Sequence, residues 1–130
     1  MIVRRALPVL SLLLAGCAGA ITTADGRRLA LSAPEFPAYV ESVFREQNQV
    51  ATDLAFALED APDDGTVAAR LSAAEDALLA ACTDLNELAT LRRDDRRTGL
   101  KLKLETAKSA PRCEAAALDA KRVLASTGGR

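Results

Sequence analysis

The 130-residue chain has no histidine, no tryptophan and only four aromatic residues, Phe36, Tyr39, Phe44 and Phe56. Without histidine it lacks the commonest general base and the commonest metal ligand. Its three cysteines, Cys17, Cys82 and Cys113, are far apart and form no C-x-x-C pair, so neither a zinc site nor a thioredoxin-like motif is indicated. No nucleophile sits beside a base, and there is no glycine-rich phosphate loop and no cluster of metal ligands. The carboxylate pairs Asp63-Asp64 and Asp94-Asp95 are adjacent, and neighbours in sequence do not face each other on a helix. The chain therefore does not read as an enzyme, and no cofactor is expected. With 17 basic against 18 acidic residues it also lacks the basic excess that nucleic-acid binding needs.

What the sequence does have begins at its start. Arg4 and Arg5 precede an apolar run, Ala6 to Ala15, interrupted by Pro8 and Ser11. A basic start, a short apolar run and small residues describe a secretory signal. The run is too short to cross a bilayer stably, which takes roughly 20 apolar residues. Cleavage of residues 1–16 is the expectation.

The end of this segment, Leu14-Ala15-Gly16-Cys17, resembles the lipobox of bacterial lipoproteins. The resemblance implies that Leu14, Ala15 and Gly16 are read by the signal peptidase. Cys17 would then become the first residue, its thiol carrying diacylglycerol and its amino group a further acyl chain. One acyl chain holds a protein marginally, and two or more hold it lastingly. Ala18, in place of an aspartate, implies by the same resemblance an outer-membrane address facing the periplasm. Removing 16 of the 130 residues leaves 114, and the loss of Arg4 and Arg5 leaves 15 basic residues against 18 acidic ones, a charge of −3. At this charge anionic membrane surfaces are not expected to attract the protein strongly.

Residues 17–33 read as a lipidated N-terminus and flexible tether. Asp25-Gly26 marks a turn, and the alternation of Leu29 and Leu31 has no evident partner strand. Residues 34–126 read as a helical domain. Ser32-Ala33-Pro34-Glu35 fits a capping box. Beyond it Phe36, Val40, Val43, Gln47, Val50, Leu54, Leu58 and Ala61 recur at helical steps. A second stripe is Val67, Leu71, Ala74, Leu78, Ala81, Leu85 and Leu88, running into the charged stretch Arg92–Arg97 before the turn signal Thr98-Gly99. In the third segment the stripe of Leu100, Leu104, Ala107 and Pro111 moves to Cys113, Ala116, Ala117, Ala120 and Leu124. Proline within a helix kinks or breaks it, so a kink or short break is expected near Ser109 to Pro111. Short connections favour antiparallel neighbours. The expected fold is all-α, a small antiparallel three-helix bundle, or four helices if the last segment breaks at Pro111. Residues 127–130 read as a disordered tail.

The midpoint of positions 82 and 113 falls at Arg97-Thr98, the proposed turn. Residues equidistant from a hairpin turn lie opposite each other, and exported compartments are oxidising. A Cys82–Cys113 disulfide is therefore expected. Phe56 points away from the apolar stripe of its helix. It is a candidate contact for a partner protein, although single exposed apolar residues are also ordinary. Gln47 lies within the stripe, either fixing helix register or sitting at its margin. Together these features suggest a membrane-tethered, non-enzymatic module that presents a helical surface to an envelope protein. The alternative is a periplasmic carrier holding a small apolar ligand between alanine-rich helices.

Overall fold

The structure, a computed structural model, describes residues 19–63 and 65–128. The signal segment 1–16, with Leu14, Ala15 and Gly16, and the lipid acceptor Cys17 lie outside the described residues. The described chain is mostly helical, with four helices and one two-stranded sheet.

The first departure from expectation is at the N-terminal side. Residues read as a tether form a β-hairpin instead, β1 Ala20–Thr22 against β2 Arg28–Ala30, antiparallel with Ile21 opposite Leu29. The missing partner strand is only three residues long, too short for its alternation to register as a pattern. Gly26 takes the positive φ of 83° that the turn requires and that other residues avoid. The Thr23 N–H donates to the Arg27 carbonyl at 2.9 Å, and the Thr23 hydroxyl accepts from the Arg27 N–H at 3.0 Å. The same hydroxyl donates to the Asp25 carboxylate, which is thereby held below its usual pKa range. An isolated hairpin is marginal in water. This one is secured because Ile21 and Leu29 are both buried in the core and β1 packs on the last helix.

Helix α1 spans Phe36–Glu59. Its N-cap is Glu35 rather than Ser32, with no side-chain cap, so the expected capping box does not form. Pro37 explains the shift: in the first turn its missing N–H would be unpaired anyway. The buried face of α1 is Tyr39, Val43, Gln47, Val50 and Leu54, flanked by the half-buried Phe36, Val40 and Phe44.

The second stripe folds as two helices, α2 Thr66–Ala81 and α3 Thr83–Arg93. The break falls at Cys82, inside a stretch whose apolar periodicity gives no hint of it. The Thr83 hydroxyl bonds back to the carbonyls of Leu79 and Ala80, at 3.0 and 3.1 Å. Such back-bonding competes with the helical ladder and bends it.

The expected break at Pro111 is absent: α4 runs unbroken over Leu100–Thr127 with the proline inside. A proline within a helix costs about 3 kcal/mol. Here Ala107, Ser109, Ala110 and Cys113 around it are all buried, so packing on the other helices holds the helical path. The fourth helix thus arises at Cys82, not at Pro111.

Cys82 and Cys113 are disulfide-paired with their Cα atoms 4.7 Å apart, and both are fully buried. The Thr106 hydroxyl donates to the Asp84 carbonyl at 3.2 Å, and Arg70 to the Ser126 hydroxyl at 2.8 Å. These pairings run in opposite chain order, so α2 and α3 descend where α4 ascends. Tyr39 with Glu114 and Glu46 with Lys121 run in the same order, which places α1 parallel to α4. Helix α4 packs against every other helix and against β1.

Candidate functional site

The candidate site arises where α3 meets α1. Leu85 and Leu88 face inward from α3 and are buried, while Ala89 is half-buried beside them. From α1 come Phe36, Val40 and Phe44 on the flank of its buried stripe. Between them runs an open groove, about 500 Å³ in its widest section, lined there by Phe36, Pro37, Val40, Leu88 and Ala107. It narrows past Phe44, Leu85 and Ala89. Beyond that point the Gln47 amide donates to the Asn86 carbonyl oxygen across the gap at 2.7 Å. Gln47 is 2% exposed, so it lies within the core and binds α1 to α3 there.

The rim of the groove is charged. Glu41 stands on the α1 side, Arg92 and Lys103 on the other. This reflects a wider segregation. Residues 92–112 hold eight basic and three acidic residues, whereas α1 holds four acidic residues and one arginine. The chain's near-neutral total thus averages two unlike regions, and the sequence's overall charge is a poor guide to what any one face attracts.

A second constellation lies on the other flank of α1. The buried Tyr39 donates its hydroxyl proton to Glu114 at 2.8 Å, and the same carboxylate oxygen accepts the Ala24 N–H at 2.8 Å. One side chain of α4 thereby ties the hairpin turn to the start of α1. Burial, reinforced by the neighbouring Glu114 carboxylate, pushes the Tyr39 hydroxyl well above its ordinary value of 10. A phenol held protonated in this way is a fixed donor and a poor acid, so the arrangement is a clamp. Glu114 carried no signal in the sequence, and Tyr39 carried none beyond its aromatic ring.

Phe56 is 61% exposed on α1 and does not line the groove. The structure brings Cys82 and Cys113 together, neither of them lining that groove, and the two thiols are consumed in the bond. Among the described residues no three histidine, cysteine, aspartate or glutamate side chains are grouped to hold a metal ion, and no helix is long and apolar enough to cross a membrane. What the arrangement offers is apolar surface with a charged border, suited to binding.

No protein-family model, no curated protein and no solved structure matches this chain.

Proposed function

We propose that the protein is a lipid-anchored module of the bacterial cell envelope, held by acyl chains on Cys17 and acting without catalysis by offering the α1–α3 groove to an envelope protein. In this reading the signal 1–16 is removed after recognition of Leu14, Ala15 and Gly16, and the helices work as a three-limbed bundle with α2–α3 as one bent limb. The observation that carries the proposal is the groove itself. It is open along its length, floored by Phe36, Val40 and Leu88, and bordered by Glu41 on one side and Arg92 and Lys103 on the other. Apolar floors with charged rims are the usual anatomy of protein interfaces. Phe56 would be a separate contact on the opposite side of α1.

Photo-crosslinking in intact cells tests this. A crosslinker placed at Glu41 or Arg92 is expected to capture one defined protein, and the same probe at the exposed Asp76 of α2 is expected not to. Equal capture from both positions, or none from the groove, would sink the proposal. A small-ligand carrier is the second reading, favoured by the groove's volume, which lies within the range of about 300–1,000 Å³ typical of ligand sites. Native mass spectrometry separates the two. A stoichiometric small molecule lost on Val40→Trp substitution would favour the carrier.

A further inference from the structure

The start of α4 has an exposed face with an unusual composition. Leu100 is 73% exposed and Leu104, one turn on, is 41% exposed. Lys101, Lys108 and Arg112 share this outward side, and Glu105 is its single acid. Arg96 and Arg97 precede it in the exposed connection from α3. Among the described residues none of these five cations makes an ion pair. Lysine in a first helical turn is also poorly placed for stability, because the helix N-terminus is itself positive. Neither the leucines nor the cations are accounted for by the fold.

The position of this face adds the second observation. The Gly19 carbonyl accepts the Leu31 N–H at 2.8 Å, five residues before α1 begins. Phe36, at the start of α1, shares the groove with Lys103 of α4. The chain therefore enters the fold at the same end of the helices as the basic, leucine-bearing face. Only Ala18 and Gly19 separate Cys17 from β1, a reach of about 11 Å when fully extended.

We infer that this face, Leu100 and Leu104 ringed by Arg96, Arg97, Lys101 and Lys108, docks on an anionic phospholipid surface. The inference rests on the anchor reading for its geometry, since a lipid on Cys17 would bring the face against the bilayer with almost no slack. The leucines enter the headgroup boundary while the cations meet phosphates, the arrangement by which amphipathic helices lie on membranes. Lipid and patch then act together, a second contact that converts a leash into a fixed seat.

The test uses the mature chain carrying Cys17→Ser, which has no lipid, sedimented with vesicles. Binding is expected to vesicles containing phosphatidylglycerol, to fall at high salt, and to be weak with phosphatidylcholine alone. Lys101→Glu with Lys108→Glu should weaken it roughly ten-fold or more, and Leu100→Ser with Leu104→Ser by about ten-fold. All four positions are exposed, and unchanged thermal melting would show that the variants fold. Equal binding to both vesicle types, no binding to either, or variants that bind like the parent would overturn the inference. So would a concentration-dependent dimer abolished by the leucine substitutions without vesicle binding, which would assign the face to a second copy. The mass of the protein recovered from cells reports the anchor independently. An acylated chain whose unlipidated form ignores anionic vesicles defeats the docking face alone, whereas vesicle binding by a chain that cells leave unacylated defeats the anchor alone.

Discussion

Helices α2 and α3 descend one after the other, yet they meet the rest of the molecule differently. α2 packs closely on both α1 and α4, with Leu71 and Leu78 almost wholly buried between them. α3 packs closely on α4, but towards α1 it leaves a groove spanned by Gln47 and Asn86. The junction between the two halves is Cys82, fastened to α4 through Cys113. The difference teaches how a small bundle can expose apolar surface without opening its core. The limb bends at a covalently fixed point, keeps one neighbour and steps away from the other.

The largest expected effect comes from releasing that point. Replacing both Cys82 and Cys113 with alanine removes a cross-link between residues 31 apart, worth about 3–4 kcal/mol in the chain-entropy picture. Urea unfolding should show the loss, and the parent protein under reducing conditions should match it. A loss below about 1 kcal/mol would mean that packing alone fixes the bend.

Next, the two halves can be set against each other directly. Leu78→Ala, at a site with no exposure, should cost about 3 kcal/mol, within the range for buried leucines. Leu88→Ala, at the groove, should cost about half as much, because water can enter the space it leaves. Equal losses by urea unfolding would erase the contrast between α2 and α3.

The α1–α4 side is tested by Tyr39→Phe. It deletes a hydrogen bond to a carboxylate, for which about 1.5 kcal/mol is expected. Its pH dependence is more telling. Folding keeps a proton on Tyr39 that the unfolded chain gives up above its ordinary value of 10. The parent's stability from this group is intact below pH 10 and declines as pH rises beyond it. The phenylalanine variant should decline less steeply there, as measured by urea unfolding on either side of pH 10. Parallel profiles would show that the clamp does not govern this titration. Smallest is Gln47→Leu, expected to cost about 1 kcal/mol or less, since its half-buried partner Asn86 can turn to water. A larger loss by the same measurement would make that bridge, rather than the bend, the feature that sets the width of the groove.

The predominantly helical character, the face of α1 and the cysteine pairing were legible in the sequence because each rests on a period or a symmetry. Val43, Val50 and Leu54 recur at helical steps, and Cys82 and Cys113 are equidistant from a turn. What escaped was set by contacts distant in sequence. Ile21 finds Leu29 across a turn and the hydrophobic core beneath it, which no local pattern announces. Pro111 keeps its helix because buried neighbours hold it, while Thr83, an ordinary helix residue, accompanies a break through its hydroxyl. The groove was invisible for the same reason: its floor residues recur at helical steps within each helix, and they come to line one gap only once α1, α3 and α4 are assembled. The overall charge was legible as a sum, but its division between α1 and the start of α4 matters only once folding places those segments at facing borders.

The role of α4 as the common neighbour has a consequence in time. It is the last element of the described chain to leave the ribosome, and every earlier helix lacks part of its wall until it arrives. Helices α1 to α3 can form turns and pair in passing, but their shared interior closes only when residues 100–127 are present. Completion of the core is therefore a terminal event in the chain's synthesis, and a chain cut short before α4 has no finished interior to fold around.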